Sequence, residues 1–334
     1  MPKGLKEISE ITGYSISTVS RVLSNKISGN SKSAKEILAV ARRLGYSKYR
    51  TAKPSNNRTL DIALVTEHYS EEFYAYLYAS FDLICSNNDY SLTIHSIRHA
   101  HNISDQLTYL SQTHDGIILF LPSLDLDGYK SIKKILHNYP TISIAPAFEV
   151  VFDTFTFDSY QGGTLAAKQL LKEGYKKFGV INGPRDKWEA ALRKSGFTDT
   201  INNAGFTIVW QYDGDYSFEA GEEAYHDIRN ENLKNIGIFT SNDQMAVGFI
   251  HAALEHSQWK RGQYGIIGYD NILFSKIFFP KLTTIHTNID HLASESLSHI
   301  ARMIKAEVSV NALPRKTLIP VSIRTRDTHQ KVNP

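Results

Sequence analysis

SISTVSRVLS, residues 15–24, sets Val19, Val22 and Leu23 at helical spacing and fills the remaining positions with small hydroxyl side chains, Ile16 and Arg21. A helix that merely faces water carries Glu, Lys and Gln on its polar side, which favour the helix and keep it soluble. A short, small-sided, cationic face suits close approach to something crowded and acidic. Upstream, Leu5, Ile8 and Ile11 form one apolar stripe of a first short helix. Gly13 ends it by taking a positive φ, and Ser15 caps the next helix. Downstream, a third helix over about 32–44 is capped by Asn30 or Ser31 and turns Ile37, Leu38, Ala41 and Leu44 inward. Two short helices around a glycine turn with a third in support make a helix-turn-helix unit.

Charge supports a nucleic-acid partner. Residues 1–58 hold twelve Lys or Arg against three acids, Glu7, Glu10 and Glu36, a net +9, whereas the rest of the 334-residue chain carries −6. A basic head on a mildly acidic body is the electrostatic footprint of a DNA-binding module joined to a second unit. A recognition helix fits a major groove about 12 Å wide, and Arg21 can give guanine O6 and N7 a bidentate pair worth ~1–3 kcal/mol of discrimination.

Leu5-Lys6-Glu7-Ile8, Gly13-Tyr14-Ser15, Thr18-Val19-Ser20-Arg21-Val22-Leu23 and Leu44-Gly45-Tyr46 resemble the head of the lactose-repressor/galactose-repressor family of bacterial transcriptional regulators. The resemblance implies that Ile16, Ser17 and Arg21 read bases, with Thr18, Ser20 and Ser24 close by, Thr18 and Ser20 near phosphates. Departures from the family pattern are Gly4 at the first helix cap, Ser24 for a common Asn, and Gly29 and Ala34 where Val and Arg are usual. The stretch 47–60, SKYRTAKPSNNRTL, lacks the leucine that family members wedge into the minor groove. With Pro54 inside it, the stretch reads as a flexible basic linker able to track phosphates.

From Leu60 onward short apolar runs alternate with amphipathic segments. Strands are expected at 61–65, 91–97, 116–120, 141–144, 178–181, 208–210, 236–239 and 264–267. Helices are expected at 73–86, 164–172, 190–201, 218–228, 245–256 and 289–306. Such alternation predicts an α/β body of two doubly wound parallel sheets covered on both faces. The resemblance continues through Asp115-Gly116, Asp158 with Gly162-Gly163, Arg193-Lys194-Ser195-Gly196-Phe197, Ser241-Asn242-Asp243, Gly268-Tyr269-Asp270 and Leu282-Thr283-Thr284. It implies a bilobal, periplasmic-binding-protein-like body whose chain crosses between lobes near Phe157, Thr287 and Leu318. The expected organisation is a head over 1–46, a linker over 47–60, one lobe from 61–157 with 288–317, and a second from 158–287 with 318–334.

Open parallel sheets bind ligands beyond the carboxyl ends of their strands. Those ends carry Glu67, Phe120, Ala145, Asn182, Asn242, Asp243 and Asp270. Carboxylates, an amide, an arginine and aromatic rings suit a neutral polyol, whose hydroxyls bond to charged forks while its C–H face packs on a ring. Phe73, Tyr74, Trp188 and Tyr216 are the candidate rings. The resemblance places Arg193, Asn242 and Asp270 in the pocket and Tyr216 at a stacking position. The effector-binding set is therefore Glu67, Phe73, Tyr74, Phe120, Arg193, Tyr216, Asn242, Asp243 and Asp270. Each also has a plainer reading: Asn242 or Asp243 as a helix cap, Arg193 as an exposed helix residue, Asp270 as a turn former, and Phe73 and Tyr74 as core. Phe120 and Ala145 stand where the lactose repressor has polar pocket residues, which makes this lobe greasier unless Glu67 compensates. That substitution points to a larger or differently substituted glycoside.

Phosphate loops of the G-x-x-x-x-G-K-(S/T) type, G-x-S-x-G elbows and H-E-x-x-H zinc pairs do not occur, so no catalytic residue, metal or cofactor is expected. His95, His99 and His101 read as solvated, and Cys85, the single cysteine, as a buried inert thiol. No run of about 18 apolar residues is present and the N-terminus lacks a signal-peptide core, so a cytoplasmic protein is expected. The chain is expected to be a homodimeric, ligand-controlled repressor of sugar-utilisation genes whose partners are double-stranded operator DNA and a small-molecule effector, a sugar. The alternative keeps the DNA-binding architecture with a nucleobase or protein co-regulator as effector.

Overall fold

The computed structural model describes residues 4–23, 31–43, 59–67, 72–97, 103–256, 263–310 and 312–331. They belong to two compact units, Met1–Arg58 and Thr59–Pro334. Ser24, Gly29, Leu44, His99, His101 and the linker up to residue 58 lie outside the described residues.

The first unit holds α1 (Leu5–Thr12), α2 (Ile16–Leu23) and α3 (Lys32–Arg43). Gly13 adopts φ 73° and its N–H returns to the Ser9 carbonyl, closing α1 and turning the chain into α2. Ser15 Oγ accepts the Thr18 N–H at 3.2 Å, and Ser31 Oγ accepts the Ala34 N–H at 3.2 Å, capping α2 and α3. Gly4 caps α1 without a side-chain bond. The core is small: Ile8, Val19, Val22, Leu23, Ala34, Ile37 and Ala41. Ile11, expected on the inward stripe, is instead 45% exposed. At 100° per residue, a position six residues on has rotated about 240° from Leu5, so only Ile8 and Leu5 share the buried side.

The second unit contains two six-stranded sheets. The first takes β1 (Leu60–Glu67), β2 (Tyr90–Ile97), β3 (Gly116–Phe120), β4 (Thr141–Ser143) and β5 (Asp153–Phe157), with α4 (Glu72–Asn87), α5 (Ile103–Thr113) and α6 (Leu126–Ile135) between them. The second takes β6 (Lys177–Asn182), β7 (Ile208–Asp213), β8 (Ile236–Thr240), β9 (Tyr264–Asp270) and β10 (Thr283–Thr287). Its helices are α7 (Ser159–Lys172), α8 (Trp188–Asn203), α9 (Phe218–Asn230), α10 (Asp243–Glu255) and the short α11 (Leu273–Ile277). The chain then returns through α12 (Ile289–Ile304), which packs on α4 in the first lobe. It adds β11 (Lys316–Ile319) to the first sheet and β12 (Val321–Arg324) to the second.

Strand orders are β11-β5-β4-β3-β1-β2 and β12-β10-β9-β8-β6-β7. Every pairing is parallel except β10 with β12. Parallel strands covered by helices are buried on both faces. Accordingly β3 and β8 are buried along their whole length, and β1 is buried apart from Asp61 and Glu67. The crossings fall after Phe157, after Thr287 and after Ile319. The third is later than expected: Leu318 and Ile319 pair with Thr156 and Phe157 in the first sheet, so Pro320 marks the passage.

Close contact between two helices of the second lobe fixes the position of α8. A methyl group at Gly163 would strike the Arg193 carbonyl, and one at Gly196 would strike that of Tyr160. Two glycines thus let α7 and α8 meet backbone to backbone, holding α8 at one height over the second sheet.

Candidate effector-binding cleft

A cleft of about 820 Å³, counting its open mouth, lies between the two lobes, at the carboxyl ends of both sheets. The first lobe lines it with Phe73, Tyr74 and Leu77 from α4, Phe120 and Pro122 from the end of β3, Ile144 and Pro146 beyond β4, and Leu292 from α12. The second lobe contributes Ser159, Lys187, Glu189, Arg193, Tyr216, Asn242 and Asp270. Thr156 and Phe157 complete the floor beside the first crossing.

Arg193 dominates the polar wall. It is 8% exposed, and its Nη1 donates to the Ser241 carbonyl at 2.6 Å while Nη2 lies 3.8 Å from Asp270 Oδ1. Its guanidinium sits 3.7 Å over the Tyr269 ring and 5.9 Å from the Tyr216 ring. A methyl group at Gly162 would strike the Tyr269 ring, so that glycine lets the ring lie flat under the cation. Burial alone opposes the charge, but Tyr216, Asp270, Tyr269 and Glu189 outweigh it and Arg193 remains a cation. Its Nε is buried without a hydrogen-bond partner, and so is the hydroxyl of Tyr216. Native structures rarely leave such groups unmatched, and each costs about 1–3 kcal/mol until something accepts its proton. Burial also raises the Tyr216 phenol well above its ordinary range, so it acts as a neutral donor.

The backbone around these groups is strained. Tyr216 has φ 76°, Asp270 φ 110° and Asn271 φ 64°, conformations costing about 1–3 kcal/mol each outside glycine and persisting only where the surroundings over-determine them. Here Tyr216 accepts the Asn242 Nδ2–H on its carbonyl at 2.8 Å and rests its ring on Gly183, where a Cβ would overlap it. The Asp270 carbonyl accepts from Thr287 Oγ1 at 3.1 Å, and Asn271 Oδ1 accepts from Arg326 Nη2 at 2.6 Å.

The expected effector set divides. Phe73, Tyr74, Phe120, Arg193, Tyr216, Asn242 and Asp270 line one cleft, drawn from positions up to 197 residues apart. Asn242 is at once the cap of α10, accepting the Met245 N–H at 2.9 Å, and a strut for Tyr216. Two residues do not belong. Asp243 is fully buried behind the wall, where its carboxyl accepts from the Ile272 N–H at 3.0 Å and from Thr284 Oγ1 at 2.5 Å. One residue past the cap, the helix has already turned its side chain away from the cleft. Glu67 does not compensate for the greasy wall: its Oε1 accepts the Ser123 N–H at 2.8 Å and it stays outside the lining. Trp188 likewise lies off the lining and meets Phe148 of the other lobe edge-on at 4.9 Å.

Four polar lining residues escaped the sequence reading: Thr156, Ser159, Lys187 and Glu189. Glu189 could have been found, being four residues before Arg193 on the same helix and so on the same face. Lys187 Nζ reaches Ser123 Oγ across the cleft mouth, and Glu72 Oε1 accepts the Leu273 N–H from the opposite lobe at 2.6 Å.

In the first unit, Ile16 is 48% exposed and Ser17 and Arg21 are exposed, while Thr18 and Ser20 are half-buried. Arg21 Nε donates to the Ser17 carbonyl at 3.3 Å, and Ser15 Oγ bridges Ser17 and Thr18 at 2.9 Å each. Elsewhere, Cys85 is buried on α4 with its thiol pushed up to about 12 by burial and Asp82. His95 meets His114 edge-on at 5.6 Å. Among the described residues Glu222, His251 and Glu255 could offer a cation three ligand atoms, but His251 Nδ1 is engaged by Glu222 at 2.8 Å and none of the three lines the cleft. No helix among the described residues is long and apolar enough to cross a membrane.

Residues 167–329 match the model of a periplasmic binding protein-like domain. The ribose operon repressor of Escherichia coli (strain K12) is 28% identical over 310 residues, covering 90% of this chain and 92% of that protein. The HTH-type transcriptional repressor PurR of Photorhabdus laumondii is 27% identical over 309 residues, covering 88% of each. The lac repressor dimer bound to operator and the anti-inducer ONPF superposes with a TM-score of 0.73 at 22% identity, over 99% of this chain and 100% of that one.

Proposed function

Because the chain belongs to the lactose-repressor/galactose-repressor family, we propose that it is a sequence-specific DNA-binding transcriptional repressor of sugar-utilisation genes, controlled by a small carbohydrate held between its two lobes. The observation that carries the first half is α2. In eight residues it buries Val19, Val22 and Leu23 and leaves Ile16, Ser17 and Arg21 exposed on a unit of net charge +9. In this reading Ile16, Ser17 and Arg21 face base edges, Thr18 and Ser20 lie near phosphates, and Ser24 extends the same surface. The protein acts as a cytoplasmic homodimer, not as an enzyme, and its two-fold symmetry selects a pseudo-palindromic operator.

The carbohydrate half is supported by the polar wall. A cationic fork, a neutral phenol and a carboxylate line one cavity, giving it both donors and an acceptor for hydroxyl groups. An effector acts by binding one arrangement of the lobes better than another, and it shifts the equilibrium only by that difference. The relative named for the ribose operon favours a sugar, while similarity to PurR keeps a nucleobase as the second reading.

Mobility-shift titration of the full chain on fragments of its own promoter region, with and without excess unrelated duplex, tests the head. Arg21→Ala should weaken operator binding by about tenfold to a hundredfold and leave non-specific, salt-governed binding nearly intact. Equal affinity for every duplex would overturn the proposal. Calorimetry with a panel of sugars and nucleobases separates the two effector readings.

A further inference from the structure

On the second lobe, away from the cleft, α9 and α10 cross at two glycines. A methyl group at Gly221 would strike the Met245 carbonyl, and one at Gly248 would strike that of Phe218. Backbone therefore lies on backbone, and the side chains beside the crossing are held at a fixed separation. Glu222 follows Gly221 on α9, and His251 stands three residues beyond Gly248 on α10. Both are half-buried, and the His251 ring lies 5.4 Å from that of Phe218. Glu255 comes four residues after His251 and shares its helix face.

These three side chains make a ligand set. One ring nitrogen of His251 and one carboxylate oxygen from each glutamate lie within 4.8 Å of one another. His251 Nδ1 donates to Glu222 Oε1 at 2.8 Å, and its Nε2 is 4.0 Å from Glu255 Oε1. Bonds of about 2.0–2.2 Å to a tetrahedral ion place neighbouring donor atoms roughly 3.3 Å apart. Side-chain rotation closes the difference, chiefly at Glu255, the most exposed of the three. Charge favours a dication, because two carboxylates face one imidazole and their ion-pair contacts among the described residues are with His251. A nitrogen donor with two carboxylates suits a borderline ion such as Zn2+, whereas Mg2+ and Ca2+ prefer oxygen ligands throughout.

We propose that Glu222, His251 and Glu255 bind one divalent transition-metal cation of the Zn2+ class, bridging α9 and α10. The cation replaces the proton shared by His251 and Glu222, which leaves to solvent, and water completes the tetrahedron. Because its ligands come from both helices, the cation fastens α9 to α10 and stabilises the folded second lobe by mass action. The site is separate from the effector cleft, which none of the three residues lines.

Calorimetric titration of the full chain, free of a histidine tag and stripped by a chelator, with ZnCl2 tests this. A binding step of one Zn2+ per chain is expected, with a raised thermal unfolding midpoint, and MgCl2 should give neither. His251→Ala and Glu255→Gln should each weaken that step at least about tenfold, since a lost ligand costs no less than the ~10–100-fold lost with a supporting group. Glu255→Gln alters an exposed side chain and keeps the test open should His251→Ala fail to fold. His226→Ala removes a neighbouring α9 histidine, which meets His256 edge-on at 5.1 Å, and should leave the step unchanged. The proposal is overturned by no Zn2+ binding, by equal binding of Mg2+, by binding indifferent to Glu255→Gln, or by binding lost with His226→Ala.

Discussion

The two walls of the cleft are built from the same architecture and do opposite things. Each is the carboxyl end of a six-stranded, largely parallel sheet. The second lobe ends its strands in Asn242 and Asp270 and brings Arg193 over them, accepting left-handed backbone at Tyr216 and Asp270. The first lobe turns Glu67 to the Ser123 N–H and shows mainly rings, with Thr156 and Tyr74 as its polar lining residues. Strain and unmatched donors concentrate on one side, where they can be released by a ligand, and low-energy packing on the other. In the proposed function, the second lobe would therefore orient the effector and the first would contribute apolar contact area.

The heaviest blow to that contrast is Arg193→Ala. It removes the cation that faces Asp270 and leaves a carboxylate in a largely buried pocket. Breaking such a pair costs about 3–5 kcal/mol, so effector affinity measured by calorimetry should fall at least a hundredfold. An unchanged affinity would mean that the polar wall is not where the ligand bonds. Next comes Gly163→Ala, which touches no ligand but drives a methyl into the Arg193 backbone. A loss of about 1–3 kcal/mol in urea unfolding is expected, with effector binding weakened alongside because α8 must shift. Stability without change would show that α7 and α8 can part freely.

Phe120→Asn adds an amide to the apolar wall and should weaken effector binding by about tenfold. An unchanged affinity would assign Phe120 to the fold rather than to effector contact. The smallest effects concern pH, and the lobes again differ in sign. Asp243, behind the second wall, is held well above its ordinary value by burial first and by Asp270 next. Its folded form prefers the proton, so its contribution is full below pH ~4 and declines as pH rises towards the folded pKa. Asp153 in the first lobe is pulled below its ordinary value: burial works against this, but His299 at 2.7 Å and the Arg315 N–H at 2.8 Å outweigh it. Its contribution is present above pH ~4 and lost as the pH falls through the lowered pKa. Asp243→Asn should flatten the decline on the alkaline side and Asp153→Asn the decline on the acid side, read as unfolding midpoints from pH 3 to 8. Parallel curves for both variants would remove the distinction.

Much of the fold was legible in the chain itself. The eight anticipated strands all exist: the central parallel ones are runs of apolar residues and little else, while the edge strands β2 and β7 mix apolar with polar positions. Those missed, β5, β10, β11 and β12, are four or five residues long and, apart from β5, carry Lys, His or Arg. Two of them, β11 and β12, are edge strands and β5 and β10 lie next to those edges, and such short strands are defined by their neighbours more than by their own pattern. In the head, spacing alone picked out Val19, Val22, Leu23, Ile37 and Ala41; it missed the buried Ala34 and failed at Ile11, where the helical rotation had run past the core, while Leu44 lies outside the described residues.

Composition and periodicity by themselves determined that a cationic, small-sided helix precedes a two-sheet body, since charge balance and hydrophobic spacing are local properties of the chain. Only the tertiary structure decided that Asn242 faces the cleft while Asp243 is sealed behind it, that Glu67 turns to Ser123, and that Gly163 and Gly196 set the height of Arg193. Those outcomes depend on partners tens of residues away in the chain, and one residue of rotation separates a side chain that faces the cleft from one that meets core.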